Sequence, residues 1–269
     1  MYDYKLPLCA FLEKRQGKGD APLVEFTDLH CHILPAMDDG SPDFETSVAM
    51  AKMAFASGVT KIAATPHSNL GDEDMNLRCR EIRHRTAMLR DALSQSRVPV
   101  KILTGMELLI GPNLPEIIEN KSFLTIGESN YLLGEFDFGE DGGFMEDALF
   151  YIMENGLIPV LAHPERYAAV QHDPARVADW FERGVIIQVN KGSVLGRFGK
   201  GPRFAADWIL RHGFAHIVAS DAHGTEQRTP HMTEAFNFIS SNYSGEYAEI
   251  LMSLNPGRIS EGKAVLSPK

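Results

Sequence analysis

Asp28-Leu29-His30-Cys31-His32 closes an apolar run that opens at Leu23. The run reads as a β-strand with reactive side chains at its carboxyl end. On extended backbone, residues two apart project to the same side, so His30 and His32 can reach one metal ion together. Cys31 then points away from them and reads as a small buried side chain. The arrangement returns late in the chain, where Ser220-Asp221-Ala222-His223 offers a carboxylate and an imidazole two apart.

Between these two stretches one pattern repeats: an apolar strand, a polar strand end, then a helix. Strands are expected at 23–29, 59–65, 98–106, 131–136, 158–162, 185–189 and 216–220. Ser41-Pro42 is expected to open the first helix, with Ser as N-cap and Pro at the first helical position, and Gly58 to close it. Further helices are expected over 77–97, 144–155, from Asp173-Pro174 to Gly184, over 205–212, and one or two over 233–254. Apolar strands with little polar interruption indicate parallel strands buried on both faces.

The remaining strand ends read Thr65-Pro66-His67, Gly105-Met106-Glu107, Gly134-Glu135-Phe136, Ala162-His163-Pro164-Glu165-Arg166 and Gln188-Val189-Asn190-Lys191. Six of the seven ends carry His, Asp or Glu. A doubly wound sheet would spread them along a line. A closed α/β barrel gathers them at its carboxyl-terminal face, where barrel active sites lie. The pattern therefore predicts an α/β barrel with a multinuclear metal centre. Imidazoles mixed with carboxylates suit Mn²⁺, Zn²⁺ or Fe²⁺, and Glu107 and Glu135 can bridge ions where histidine cannot.

Composition agrees. The chain has 269 residues, 44% hydrophobic and 23% charged, which is ordinary globular usage. A net charge of −10 disfavours nucleic acid and anionic membranes as partners. No apolar run reaches the roughly 18 residues of a membrane helix. Cys9, Cys31 and Cys79 form neither a disulfide framework nor a CxxC zinc pattern, so the expected compartment is the reducing cytoplasm. Cys79-Arg80 is followed by no glycine-rich loop, which disfavours cysteine-phosphatase chemistry. Residues 1–22 read as an N-terminal extension with a flexible link at Gln16–Asp20, and residues 23–269 as one domain. His84, His172, His212 and His216 are expected at the surface or in packing, and Arg78 to Arg90 as a solvated helix face.

DLHCHILPAMDDG (28–40), TPH (65–67), GMEL (105–108), GEF (134–136), AHPERY (162–167), QVNKGS (188–193) and ASDAH (219–223), in that order, resemble the PHP (polymerase and histidinol phosphatase) superfamily. Within it, HPERY, QVNKGS and the RTPHM stretch at Arg228 look like the bacterial manganese-dependent tyrosine-protein phosphatases of capsular and exopolysaccharide operons. The resemblance runs from about Phe26 to Pro256. It implies a distorted (β/α)₇ TIM-like barrel with a trinuclear site. His30, His32, Glu107 and Asp221 would hold one ion. Glu107, Glu135 and His163 would hold a second, and Asp39, His67 and His223 a third. Mn²⁺ is the implied metal, two or three ions per chain, with Fe²⁺ or Zn²⁺ as alternatives. Ser68 departs from the pattern, since relatives often carry His or Arg there.

The implied reaction is hydrolysis of a phosphomonoester by metal-activated water. Arg166, just beyond His163, is the first candidate to contact the phosphoryl group, because its fork matches phosphate oxygens. Its alternative is a structural ion pair with Glu165 or Asp141. Arg228 is a second candidate. His231 or a metal-held water would protonate the leaving oxygen. The resemblance implies a phosphotyrosine protein as substrate, a bacterial tyrosine autokinase. The alternatives are a small-molecule phosphatase of the histidinol-phosphate type, or a metal-binding scaffold without activity.

Overall fold

The computed structural model describes residues 24–68 and 74–267, so the expected extension at 1–22 and Leu23 lie outside the described residues. Among the described residues eight strands follow in chain order: β1 Phe26–Cys31, β2 Val59–Ala64, β3 Lys101–Thr104, β4 Leu108–Leu109, β5 Tyr131–Glu135, β6 Ile158–Ala162, β7 Ile186–Asn190 and β8 Ile217–Ala219. All pairings are parallel, β1-β2-β3 in one sheet and β4-β5-β6-β7-β8 in the other.

The two sheets close on each other at two seams. At the first, Glu107 N donates to Pro66 O at 3.1 Å and Ser68 N donates to Glu107 O at 2.9 Å. At the second, His32 N donates to Ala222 O at 2.8 Å and Asp221 N donates to His30 O at 2.9 Å. The expected third strand is therefore two pieces, β3 and β4. Its chain leaves one ladder at Gly105-Met106-Glu107 and joins the next. Counted as one stave, β3 and β4 complete a seven-stave α/β barrel, as the strand-end pattern predicts.

Alternation along the strands explains why they read as continuously apolar. Leu103, Leu133, Val160, Ile186 and Ile217 pack together inside the barrel. Their neighbours Ile102, Leu132, Leu161, Ile187 and Val218 belong to the second core, between the barrel and its helices. Both faces exclude water, so no polar face appears in the sequence. The amino end of the barrel is plugged by the chain's own carboxyl-terminal part. Ile259 and Val265 join the inner core. Tyr131 Oη donates to Lys263 O at 2.9 Å, and Asn255 Nδ2 donates to His216 O and to Leu266 O, both at 3.0 Å.

Two local expectations are corrected. The first helix spans Phe44–Ala56 and is capped by Asp43, whose side chain accepts from Thr46 N at 2.8 Å. Ser41 is drawn inward instead: its N donates to His32 O and its hydroxyl bonds Ser47 Oγ at 2.9 Å. The charged helix Met75–Gln95 exposes Arg80, Arg83 and His84, but Arg78 is buried. Its guanidinium donates to Met37 O at 2.6 Å and to His67 O at 2.8 Å, so it braces two site segments. His172 and His212 are exposed. His216 is buried, with its ring 4.5 Å from that of Phe181. Cys31 is fully buried, as expected.

Candidate metal centre

The end of β1 brings Nε2 of His30 and Nε2 of His32 to 3.2 Å. Each ring is oriented from behind: His30 Nδ1 lies 2.9 Å from Gln188 Oε1, and His32 Nδ1 lies 2.7 Å from Asp38 Oδ2. An acceptor at Nδ1 fixes the proton there and leaves Nε2 facing the cluster. Against burial, Glu107 and Asp221 raise both imidazoles, so a proton holds the place between the two Nε2 atoms that a cation would take.

Glu107 enters from between β3 and β4. Its Oε1 stands 3.1 Å from Nε2 of both His30 and His163, and its Oε2 stands 3.2 Å from His32 Nε2 and 3.1 Å from His67 Nδ1. Glu135, at the end of β5, brings Oε1 to 2.8 Å from His67 Nδ1 and Oε2 to 3.9 Å from His163 Nε2. Asp39 Oδ1 lies 3.5 Å from His67 Nε2 and 3.3 Å from His223 Nε2. Asp221 Oδ1 lies 3.5 Å from Nε2 of both His30 and His32.

All nine residues expected as ligands thus meet in one cluster. Three groups have ligand atoms within 4.8 Å of one another: His30, His32 and Glu107; His67, Glu107 and Glu135; and His32, Asp39, His67 and His223. The last contains the expected third set with His32 added. The second places His67 where the resemblance implied His163. The buried side-chain polar atoms without a hydrogen bond among the described residues include Glu107 Oε2, His163 Nδ1 and His223 Nε2. Buried polar atoms are rarely left so. For Glu107 Oε2 and His223 Nε2, a divalent cation in the cluster supplies the missing partner, so the donor set fits metal ions.

The electrostatics point the same way. Burial opposes the charge on Glu107, yet His30, His163 and His32 hold its carboxyl well below the usual range. Burial likewise opposes Asp221, and His30, His32 and Arg228 outweigh it. Burial, with His32 and Arg228 nearby, pushes His223 down to about 3 and keeps it neutral. His67 goes the other way: against burial, Glu107 and Glu135 lift it to about 10. In such acidic surroundings a proton stands where a metal would bind, and ligation releases it.

Backbone strain collects here. His163, Asp221 and Arg228 have φ of +36°, +49° and +44°. Non-glycine residues rarely adopt this region, at about 1–3 kcal/mol each, and such outliers cluster at functional sites. Gly40 serves a close approach: a Cβ there would overlap the backbone carbonyl and Cβ of His32. The tight turn lets Asp38 accept from Gly40 N at 2.9 Å and from His67 N at 3.0 Å, besides its bond to His32.

Both arginines reach the cluster. Arg166 Nη1 lies 3.4 Å and Arg228 Nη2 2.6 Å from Asp221 Oδ2. The alternative partners of Arg166 are engaged elsewhere. Asp141 caps the helix Gly142–Glu154, and Glu165 Oε1 accepts from Asn190 N at 2.9 Å. His231 is exposed, and its described contact is a carbonyl accepting from Lys191 Nζ at 3.1 Å. Ser68 is buried, its hydroxyl accepting from Leu109 N at 2.9 Å across the first seam. Sequence reasoning missed the orienting residues Asp38, Gln188 and Asn190, whose side-chain amide donates to Asp221 Oδ2. Gln188 and Asn190 did carry a signal, being two polar residues two apart at a strand end.

Comparison with known proteins agrees with this geometry. The family described as "Capsular polysaccharide synthesis, CpsB/CapC" matches residues 26–261. The tyrosine-protein phosphatase YwqE of Bacillus subtilis (strain 168) is 32% identical over 224 residues, covering 83% of this chain and 87% of that protein. The tyrosine-protein phosphatase CpsB of Streptococcus pneumoniae is 29% identical over 237 residues, covering 86% and 97%. A crystal structure from work on these two proteins, described there as metal-dependent tyrosine phosphatases, superposes with a TM-score of 0.83. It is 30% identical, and the match covers 89% of this chain and 96% of that one. This chain belongs to the CpsB/CapC family of capsular polysaccharide synthesis.

Proposed function

We propose that this protein is a metal-dependent tyrosine-protein phosphatase. Its substrate would be phosphotyrosine on a tyrosine autokinase that regulates capsular or exopolysaccharide synthesis. One observation carries the reading. Asp221 turns Oδ1 toward the imidazole cluster and Oδ2 toward two guanidinium groups. A metal-type cluster and two phosphate-matching cations thus share one carboxylate.

His30, His32, Glu107 and Asp221 would hold one ion, Glu107, Glu135 and His163 a second, and Asp39, His67 and His223 a third. Mn²⁺ is the proposed metal. Bound divalent ions supply Lewis acidity for a water nucleophile and for phosphoryl oxygens. The chain's own residues do the rest. Gln188 and Asp38 hold the His30 and His32 rings in their ligating tautomer. Asn190 and the two arginines fix the rotation of Asp221. Arg166 and Arg228 would exchange Asp221 for the equatorial phosphoryl oxygens, where developing charge is best met by a bidentate fork. A tyrosyl oxygen, of pKa about 10, leaves with little protonation.

The test is turnover of p-nitrophenyl phosphate, a phosphotyrosyl peptide and histidinol phosphate by metal-stripped protein, with Mn²⁺ titrated back, beside His30→Ala. Mn²⁺-dependent turnover of the peptide, lost in His30→Ala, supports the reading. Turnover of histidinol phosphate alone would replace it with the small-molecule phosphatase. Turnover of nothing at full metal occupancy would leave a scaffold.

A further inference from the structure

We propose that Phe138 and Phe198 select an aryl leaving group at this site, by stacking on the phosphotyrosyl ring beside Arg166 and Arg228. The inference rests on the phosphatase reading and narrows it to a substrate feature.

Phe138 follows β5 three residues after Glu135 and is 44% exposed, which is high for a phenyl ring. It does not face open solvent alone: its ring centroid is 4.3 Å from Arg166 Cζ and 6.0 Å from the His163 ring. Phe198 is half-buried, with its centroid 4.8 Å from Arg166 Cζ and 6.0 Å from Arg228 Cζ. Two phenyl rings thus accompany the two guanidinium groups that meet at Asp221.

Phe198 also walls a cavity of about 290 Å³, together with Asn190, Gly192 and Arg228. Asn190 and Arg228 both bond Asp221 Oδ2, so this cavity adjoins the proposed phosphate position. The ring of Phe198 lies directly on the backbone of Gly192, where any Cβ would overlap it. The loop carrying Arg228 is pinned in turn, because the buried Lys191 donates to the carbonyls of Thr229 and His231. The cavity is therefore held in shape by contacts outside the ligand cluster.

The chemistry of the walls is specific. Guanidinium planes and phenyl rings both offer flat faces, and both gain from a second aromatic ring at stacking distance. A phosphotyrosyl group has such a ring between its phosphate and its backbone. A phosphoseryl group has one methylene there and leaves the phenyl rings uncovered. The competing role for the two rings is to shield Arg166 from water. That role would strengthen phosphate binding for every phosphomonoester alike.

Steady-state kinetics on phosphotyrosyl and phosphoseryl peptides of identical flanking sequence separates the two. The proteins are Mn²⁺-loaded wild type, Phe138→Ala, Phe138→Leu, Phe198→Leu and Phe198→Tyr. Leucine keeps apolar cover but removes the stacking face, and tyrosine keeps the face. The tyrosyl-over-seryl ratio of kcat/KM should fall by about tenfold in the Ala and Leu variants, mostly through KM, and recover in Phe198→Tyr. Equal losses on both peptides, or an unchanged ratio, would overturn the selection role while leaving the phosphatase reading intact. Absence of Mn²⁺-dependent turnover in the wild type would overturn both.

Discussion

Arg228 Nη2 lies 2.6 Å from Asp221 Oδ2, and the other oxygen of that carboxylate stands 3.5 Å from His30 and His32. The carboxylate therefore holds the cation that, in the proposed reaction, an incoming phosphoryl group would take over. Arg166 joins it at 3.4 Å.

Replacing either arginine should impair turnover without emptying the site. Arg166→Ala and Arg228→Ala should each lower kcat/KM on a phosphotyrosyl peptide by about 10²–10³-fold, the scale of a lost transition-state charge contact. Lysine should restore little, since it lacks the fork. Metal content, measured by atomic emission, should stay at the wild-type value. A parallel loss of metal would mean that the arginines act only through Asp221.

The residues behind the imidazoles should govern affinity for metal. Asp38→Ala and Gln188→Leu remove the acceptors that fix the His32 and His30 tautomers. Each should weaken Mn²⁺ binding by about 10–100-fold in a chelator competition assay. Unchanged affinity in both variants would refute the orienting role.

Stability of the metal-free protein should depend on pH in a way that metal removes. The folded state lifts His67 from 6.5 to about 10. Its charged form therefore stabilises fully below 6.5, and that contribution is lost as pH rises through about 10. Asp38 is held below its ordinary 3.8, so its contribution is present above 3.8 and lost at lower pH. Buried Lys191, lowered from 10.5 to about 8, works the other way above pH 8. The His67 effect is therefore read as the Tm of chelator-stripped protein relative to Mn²⁺-loaded protein, in which the ion replaces the proton on His67. That difference should fall between about pH 7 and 10, and a difference that is flat or rising there would contradict this account.

Gly40→Ala tests the approach of the 38–40 turn to His32. Pushing a Cβ into the His32 carbonyl should cost about 1–3 kcal/mol and lower Tm by roughly 2–10 °C. Mn²⁺ affinity should fall with it, since Asp38 and Asp39 flank the displaced turn. A variant with wild-type Tm and affinity would show that the turn yields freely.

Legibility in the sequence followed the range of the interaction. His30 with His32, and Asp221 with His223, could be paired because strand geometry alone sets a two-residue period. Glu107 was legible as a strand end, although the break of β3 from β4 was not, since it depends on Pro66 and Ser68 some forty positions earlier. Asp38 and Asp39 sit side by side in one turn, and nothing local says that one orients an imidazole while the other faces the cluster. Arg78 shares a charged helical pattern with solvated neighbours. Only the tertiary position of the Met37 and His67 carbonyls draws it inward. The Ser41 cap failed for a similar reason, because the Ser41 hydroxyl is engaged by Asp43 O and Ser47 Oγ and Asp43 caps the helix instead.

The two seams have a consequence for synthesis. Asp28 on β1 bonds Ser220 across 192 residues of chain, and Asp221 and His223 follow directly after that latch. The 192 residues from Asp28 to Ser220 are therefore made before the last expected ligands follow. A chain that stops short of Asp221 would lack two of the nine expected ligands, and the proposed centre would be incomplete. The proposed activity therefore depends on the closing of the ring.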